Sequence, residues 1–314
     1  MMGGFFVSGI LLNNRDIVGA EPVSALGAHQ SESGARVAPR LPYVERNENS
    51  LVSGEAAENE YTWIEGRISA ESAIRGNKRE VQAVYVRSGK FDRSLRGLRE
   101  LAQEAGIPFR EAGDEFFAAN ARGQSHGGVL ARVGPRRYAE LDALVETGSR
   151  PFVAMLDGIE DPFNFGQAVR ALYASGASGL VVRPRNWLSA TAVVTRASAG
   201  ASELLPTAVC DSALEAADFF RGHDLSIACT ARKSAVSIYE SDLTQPLFLL
   251  IGGEKRGITR SFLDQADLLL RIPYGRSFSR SLGAAASTAV IAFEVLRQRS
   301  AGKSGSPDAA EKAL

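Results

Sequence analysis

The chain has 314 residues, of which 36 are Lys or Arg, 36 are Asp or Glu, and 45% are apolar. This length favours two folded domains, because single hydrophobic cores stop growing at about 250–300 residues. The formal charge of zero excludes nucleic-acid binding through bulk cationic attraction, so any such partner needs a local basic surface.

The two cysteines and three histidines are too few and too scattered for a disulfide framework or a zinc cluster. We expect no metal site, and we expect Cys210 and Cys229 to be buried thiols in a reducing cytoplasm. No apolar run reaches the roughly 18–20 residues of a membrane span. The apolar stretch 3–12 lacks the basic flank and cleavage site of a signal peptide. The composition therefore predicts a cytoplasmic protein without a membrane partner.

The texture of the sequence divides the chain into four parts. Residues 1–60 contain four basic and eight acidic residues and no sustained hydrophobic period, which predicts a flexible extension. Residues 61–148 predict a small mixed α/β domain, with strands at 81–86 and 129–133, a helix at 91–105 and a last helix at 138–148. Residues 149–300 form a second domain, and 301–314 a frayed tail.

Apolar strands alternate with helices in the second domain, which predicts a parallel sheet covered by helices on both faces. Ligands of such sheets bind at the carboxyl ends of the strands. The strands that matter most are predicted at Phe152–Leu156, Leu247–Ile251 and Leu268–Ile272. We therefore look for chemistry in the segments that follow these three strands.

The first strand is followed by Asp161-Pro162-Phe163-Asn164-Phe165-Gly166 and, farther along the next helix, by Arg170. Pro162 fixes a turn, and we expect the side chain of Asn164 to cap the helix. Arg170 stands among Ala, Val and Leu, so it either reaches water or meets an anion. The sequence leaves both interpretations open.

The other two strand ends are rich in small residues. Gly252 and Gly253, followed by Glu254, would let a ligand approach the backbone, although a plain turn explains the glycines equally well. The third strand leads through a polar loop with Arg276 and Arg280 into a helix that starts with almost no side-chain bulk.

In this order, the segment 161–166 with Arg170 and the segment 252–254 with Gly257 resemble the SpoU/TrmH family of RNA 2′-O-ribose methyltransferases, in the SPOUT class. The resemblance covers Phe152 to Arg299 and includes 197–201. Glu65-Gly66-Arg67 and 126–129 resemble, more loosely, the family's substrate-binding domain. The resemblance implies an α/β fold: a C-terminal SPOUT domain with a parallel sheet and a deep trefoil knot, preceded by a small mixed α/β substrate-binding domain.

The resemblance also implies a reaction, the transfer of a methyl group from S-adenosylmethionine to a ribose 2′-hydroxyl of transfer or ribosomal RNA. A guanidinium is suited to holding charge on the 2′-oxygen, and this role falls to Arg170. Asn164 would orient Arg170, and Glu254 would fix Asn164 or its loop. The cofactor would lie on the backbone around Gly252, Gly253, Ile272 and Leu282.

RNA phosphates would meet Arg67, Arg276 and Arg280, although each charge alone is more often a solvated surface residue. Further cations that could meet phosphate are Arg75, Lys78, Arg79, Arg87, Lys255 and Arg256. The resemblance implies a homodimer as well. The small residues Gly283, Ala284, Ala285, Ala289 and Ala292 fit close packing across a two-fold axis, and a tight intramolecular core is the competing account.

One motif departs from the family. Residues 281–285 read Ser-Leu-Gly-Ala-Ala where the family has Ser-Leu-Asn-Val-Ser, so Gly283 and Ala285 lack the polar groups expected there. The chain is then either an active methyltransferase or an RNA-binding relative with weak or no activity. A doubly wound enzyme for a small-molecule substrate is a third alternative, which rests only on the alternation of strands and helices.

Overall fold

The computed structural model of the chain describes residues 61–90, 93–123, 126–184, 190–253 and 257–301. The expected extension 1–60 and residues 302–314 of the expected tail lie outside the described residues. Within the described part, no helix is both long and apolar enough to cross a lipid bilayer.

The N-terminal part is built on a mixed sheet of four strands in the order β1-β4-β2-β3, in which only the β2–β3 pair is parallel. Two helices, α1 and α2, press apolar residues such as Ala70 and Leu98 onto one face of this sheet. The expected small mixed α/β domain is thereby confirmed. Its elements are β1 (Thr62–Glu65), α1 (Arg67–Gly76), β2 (Val81–Arg87), α2 (Arg93–Glu104), β3 (Phe109–Ala112), α3 (Asp114–Asn120) and β4 (Val129–Val133).

The C-terminal part is built on a seven-stranded sheet in the order β7-β6-β5-β10-β8-β11-β9, and all of its neighbouring strands are parallel. The expected parallel sheet is confirmed, and the knot stays a prediction. The strands are β5 (Phe152–Asp157), β6 (Gly179–Val182), β7 (Thr207–Val209), β8 (Ser226–Thr230), β9 (Val236–Ser237), β10 (Leu247–Gly252) and β11 (Leu268–Arg271).

Helices cover both faces of this sheet, as the alternation of elements predicted. One face packs on α5 and α10, and the other on α4, α8 and α9. The helices are α4 (Asp142–Val145), α5 (Pro162–Ala174), α6 (Thr191–Ala197), α7 (Ala201–Leu204), α8 (Ala213–Arg221), α9 (Arg260–Leu263) and α10 (Ala284–Ala301).

The central strands are apolar along their whole length because both of their faces are buried. In β5, Phe152 and Ala154 point to the face covered by α5, and Val153 and Met155 point to the opposite face. Both cysteines are buried, as expected. Burial raises the pKa of the Cys229 thiol to about 12, which makes this thiol unreactive near neutral pH.

The prediction of a helix at 138–148 is mostly wrong. Only Asp142–Val145 are helical, and Ala139 instead pairs with Ala208 next to the seven-stranded sheet. The backbone N–H of Ala139 donates to the carbonyl of Thr207 at 2.9 Å. The segment therefore begins as an extended connection paired with the free edge of β7, and only the short helix that contains the buried Leu144 remains of the expected helix.

A substitution at Gly166 tests the packing of α5 on α6. A Cβ atom at Gly166 would lie 2.7 Å from Cβ of Ala197 and 2.8 Å from the carbonyl oxygen of Val194. We expect Gly166→Ala to lower the free energy of unfolding by about 1–3 kcal/mol, because overpacking forces the two helices apart. Gly97→Ala is the matched control, since Gly97 is also helical and its Cβ would meet nothing within 4 Å.

Urea denaturation measures both changes. Gly97→Ala should leave stability unchanged or raise it by up to about 1 kcal/mol. Equal stabilities of the two variants would contradict the proposed close packing of α5 on α6.

Candidate functional site

The order of strands changes direction between β5 and β10, which are neighbours in the centre of the seven-stranded sheet. The chain runs from β5 outward to β6 and β7, whereas β8 lies on the far side of β10. At such a switch point the loops after two adjacent strands diverge, and ligands bind in the crevice between them. The segments that follow β5 and β10 are therefore the expected place for a site.

The two loops touch through their backbones. A Cβ atom on Gly253 would overlap the carbonyl oxygen of Gly158, and Gly158 itself has φ of +78°. A Cβ atom on Gly252 would lie 2.7 Å from Cγ1 of Ile258. Gly253 is therefore required for this crossing, which explains the glycine pair by the approach of a neighbouring chain segment. Glu254, Lys255 and Arg256 lie outside the described residues.

The segment that follows β5 differs from the expectation in the residue that caps α5. Asp161, not Asn164, caps α5: its carboxylate accepts a hydrogen bond from the backbone N–H of Asn164 at 2.7 Å. Pro162 occupies the first turn of the helix, as its lack of an N–H allows. The cap belongs to Asp161 because it directly precedes the first helical residue, whereas Asn164 already lies inside the helix.

Arg170 is exposed, and among the described residues its guanidinium has no hydrogen bond or ion pair. Six positions separate it from Asn164, which corresponds to about 9 Å along a helix axis. Asn164 is therefore too far along α5 to be a close neighbour of Arg170 on the same turn. Of the two interpretations left open by the sequence, the structure favours contact with water and leaves the guanidinium available to an anion.

The third strand end lies farther away, because β8 separates β11 from β10. The loop after β11 folds back on itself, since the backbone N–H of Leu282 donates to the hydroxyl of Tyr274 at 3.0 Å. Ile272 is half-buried against the core. Arg276 and Arg280 are exposed on this loop.

The small residues at the start of α10 have two different environments. Ala284 and Ala292 are buried in the core against α5. For these two residues the small side chains serve packing within the chain. Gly283 is exposed, and its carbonyl accepts the N–H of Ser287. The hydroxyl of Ser287 donates to the carbonyl of Leu282 at 3.5 Å, so this serine holds the loop.

The cations of the N-terminal domain also have different environments. Arg67 is half-buried and paired with Glu71 at 2.6 Å. Arg79 is buried and pairs inside the protein, so its expected contact with RNA phosphate is wrong. Arg87 lies 3.0 Å from a carboxylate oxygen of Asp114.

A buried ionic cluster, which the sequence interpretation missed, joins the two domains. The carboxylate of Glu203 accepts hydrogen bonds from Arg79 at 2.9 Å, from Arg136 at 2.8 Å and from the hydroxyl of Thr195 at 3.2 Å. Burial lowers the pKa of the Arg79 guanidinium, while Glu203 acts in the opposite direction. Glu203 is the only charged residue between 197 and 209, and this isolated charge in an apolar stretch was the available signal.

Two glycines let the domains approach around this cluster. A Cβ atom on Gly76 would overlap the carbonyl oxygen of Glu203, and one on Gly200 would overlap the hydroxyl of Ser72. The end of α1 therefore lies against the backbone at α7. Close backbone contact and a buried ion cluster together fix the orientation of the N-terminal domain on the parallel sheet.

A second ionic contact lies at the edge of the same interface. The buried carboxylate of Glu65 accepts hydrogen bonds from Arg196 at 3.0 Å and from the backbone N–H of Arg122 at 2.6 Å. Next to it lies a cavity of about 360 Å³, which we call the interdomain groove. The groove is lined by both domains, among others by Glu65, Arg67, Lys90, His126, Arg196 and Ala199.

No cluster of three or more His, Cys, Asp or Glu that suits a metal ion occurs in the ranges that the structure describes. The loops after β5 and β10 instead offer backbone groups at Gly158, Gly252 and Gly253, and the helix that follows β5 carries the exposed Arg170.

The sequence and the fold are both similar to known proteins. Residues 151–293 match the model of the SpoU rRNA Methylase family, and residues 63–139 match the model of the RNA 2′-O ribose methyltransferase substrate binding domain. The 23S rRNA (guanosine-2′-O-)-methyltransferase RlmB of Pasteurella multocida is 31% identical over 237 residues, which cover 74% of this chain and 96% of the relative. That of Yersinia pestis is 30% identical over 239 residues, covering 75% and 97%.

Among solved structures, the SpoU methyltransferase AviRb from Streptomyces viridochromogenes, in complex with the cofactor AdoMet, is similar with a TM-score of 0.64. The two chains are 21% identical, and the match covers 80% of this chain and 95% of AviRb. At this identity the likeness concerns the fold, which is the SPOUT fold that the motifs implied.

The buried cluster makes a specific prediction about stability. Glu203→Gln removes the only carboxylate that neutralises Arg79 and Arg136 in the cluster. We expect the free energy of unfolding to fall by about 3–5 kcal/mol, because the buried guanidinium of Arg79 and the half-buried guanidinium of Arg136 lose their counter-charge. Urea denaturation measures this change.

Glu100→Gln is the control, because Glu100 is exposed and lies 4.0 Å from Arg96 on the same helix. An exposed pair of this kind contributes about 0.3–0.5 kcal/mol, so the control should be close to wild type. Wild-type stability of Glu203→Gln would contradict the role given to the cluster.

Proposed function

Since the chain belongs to the SpoU rRNA methylase family and is an RNA 2′-O-ribose methyltransferase that uses S-adenosylmethionine, we propose that its substrate is a guanosine of 23S ribosomal RNA. The observation that carries this proposal is the similarity to the Pasteurella multocida relative, which extends over 96% of that protein, together with the match of this chain to both family models. We assign residues 61–148 to RNA binding and residues 149–300 to methyl transfer.

The residues at the switch point fit S-adenosylmethionine. When bound, the cofactor supplies a methyl group on a sulfonium, which an oxygen nucleophile displaces. Gly252 and Gly253 present backbone groups without side chains, and the half-buried Ile272 and Leu282 of the loop after β11 would add apolar surface. Backbone donors and acceptors next to apolar side chains are typical of the sites that bind small molecules. These four residues would hold the cofactor.

We assign the stabilisation of charge to Arg170. A ribose hydroxyl is a weak nucleophile until its proton is lost or the developing negative charge is held. The guanidinium of Arg170 is exposed and has no partner within the described ranges, so forming a contact with the 2′-oxygen or its neighbouring phosphate breaks no internal ion pair. A buried or paired arginine would lack this freedom.

Asn164 and Glu254 complete the proposed set of catalytic residues. Asn164 lies in the first turn of α5, next to the crevice between the β5 and β10 loops. From there it would orient the substrate or the loop, with Arg170 about 9 Å along the helix axis. Glu254 directly follows the glycine pair in the sequence and would fix Asn164 or its loop.

RNA would contact both domains. Arg276 and Arg280 are exposed on the loop after β11, and Arg67 is half-buried at the interdomain groove. Cations of this kind bind phosphates and position the RNA without reading its sequence.

A second candidate function is RNA binding with weak or no methyl transfer. It is favoured by Gly283 and Ala285, which present no polar side chain at the end of the loop. In the structure Ala285 packs against the core, and the hydroxyls near Leu282 are those of Ser287 and Tyr274, both of which bind its backbone.

We also propose a cytoplasmic homodimer. Phe163 and Phe293 are exposed by 52% and 48%, one on α5 and one on α10, which are packed against each other. A two-fold contact would bury these rings, and large exposed apolar side chains are typical of such interfaces.

The reaction is tested with ribosomal RNA prepared from cells that lack the protein. The wild-type chain should transfer labelled methyl groups from S-adenosylmethionine to a guanosine 2′-oxygen of 23S RNA, as mapped on the RNA. RNA binding without transfer would favour the second candidate and contradict the first.

Arg170→Ala should lower kcat by roughly 10²–10³ and leave the Kd for S-adenosylmethionine unchanged, because the guanidinium acts on the developing charge. Arg170→Lys should recover part of the loss, since it keeps the charge without the planar fork. Gln167→Ala, one turn earlier and also exposed, is the control. A near wild-type rate for Arg170→Ala would reject this role.

The dimer is tested by sedimentation at micromolar concentration. The wild-type chain should sediment as a dimer. Phe293→Asp should shift it toward monomer, because the substitution places a charge where the dimer would bury the ring of Phe293. A wild-type monomer under these conditions would exclude the dimer.

A further inference from the structure

We propose that the interdomain groove binds one nucleotide of the RNA substrate, with its phosphate on Arg67 and Lys90 and its base against the apolar wall of the groove. The inference rests on the proposed function and deepens it, because it assigns a single nucleotide to a groove at which the proposed function places only the cation of Arg67. Four properties of the groove support it: its size, its charge, its apolar wall and its position between the domains.

The size fits a single nucleotide. The groove has a volume of about 360 Å³, which is within the range of about 300–1,000 Å³ of small-molecule sites. A duplex is far too wide for such a cavity. Sequence-specific RNA recognition commonly uses unpaired nucleotides that turn out of the stack and enter a pocket.

The charge fits one phosphodiester. Three cationic side chains line the groove, namely Arg67, Lys90 and Arg196, against one carboxylate, that of Glu65. Glu71, which pairs with Arg67, reduces the local surplus to one positive charge. The ammonium of Lys90 is exposed and donates to the carbonyl of Gly127 at 2.8 Å, a neutral partner that leaves its charge unbalanced.

The Arg67–Glu71 pair does not prevent binding. The two residues are four positions apart on α1 and partly exposed, and pairs of this type contribute little to stability. A phosphate accepts two hydrogen bonds from one guanidinium and exchanges readily with such a partner. The N-terminus of α1, at Gly66, has no side-chain cap, and Gly66, Arg67, Ile68 and Ser69 all line the groove.

The wall of the groove suits the face of a base. Ile68 is exposed by 50%, and Leu95 and Val129 lie deeper in the same cavity. His126 stacks on Phe117 with ring centroids 5.1 Å apart, and burial lowers the pKa of its imidazole. The neutral ring therefore adds to the apolar part of the wall and does not compete for the phosphate.

The groove lies between the two domains, so a nucleotide bound there contacts both of them. Arg67, Lys90 and His126 belong to the RNA-binding domain, whereas Arg196 and Ala199 belong to the domain of the parallel sheet, between β6 and β7. Arg196 lies on α6, which packs on α5 through Ala197 and Gly166, and α5 carries Arg170. A nucleotide held here contacts both domains and sets the register of the RNA relative to the reacting site.

The test measures the Kd of the full-length protein for 23S RNA from cells lacking it, at several salt concentrations. The double variant Arg67→Ala/Lys90→Ala should lower the slope of log K against log salt by about 1–2, because one or two phosphate contacts are lost. KM for this RNA should rise about tenfold with kcat changed less than about twofold, as expected when uniform binding is removed. The Kd for S-adenosylmethionine should stay unchanged.

Arg96→Ala is the matched control, because Arg96 also pairs with a glutamate four positions along its helix but lies outside the groove. Its salt slope should equal that of wild type. Equal salt slopes for the control and the double variant would overturn the proposed binding in the groove and would indicate general attraction of RNA to the protein surface.

Ile68→Trp tests the cavity separately, since it fills the groove and keeps all of its charges. It should weaken RNA binding at least as much as the double variant, and wild-type affinity would overturn the proposal. If the wild-type chain methylates the RNA while all groove variants behave like wild type, only the groove proposal fails. If the wild-type chain transfers no methyl group, the proposed function fails.

Discussion

The carboxylate of Glu203 holds the two domains in one arrangement. It lies in the interior and neutralises Arg79 and Arg136, which come from the N-terminal domain and from the connection between the domains. Burying Glu203 and Arg79 and partly burying Arg136 is unfavourable unless each charge finds its partner, so the cluster tolerates only the docking geometry that brings all three together. The close backbone approaches at Gly76 and Gly200 reinforce that geometry.

Fixed docking has a consequence for how the protein handles RNA. A surface formed by two domains is present before RNA arrives only if the domains do not move against each other, and a preorganised site loses less entropy on binding. The interdomain groove depends on this arrangement, because Glu65 of β1 is tied to Arg196 of α6 along its edge. Recognition and methyl transfer are thereby linked through packed elements.

The proposed methyl-transfer site rests mainly on backbone. The crossing of the loops at Gly158 and Gly253 and the loop held by Tyr274 and Ser287 provide shape, whereas few polar side chains lie there within the described ranges. This arrangement agrees with a reaction that depends on placement of two reactants, since placement alone removes up to about 7–11 kcal/mol of a barrier. Arg170 then supplies the main side-chain charge of the proposed mechanism.

The sequence by itself determined the parallel sheet, its helical layers and the segments at the switch point, because apolar periodicity and glycine positions are local signals. It was wrong about the cap of α5 and about Arg79, and it missed Glu203, because those outcomes depend on partners far apart in the chain. Only the tertiary structure decided which arginines are buried, which remain available to RNA, and where two domains enclose a groove. A charge shows its role only when the surrounding elements have set its solvation and its partner.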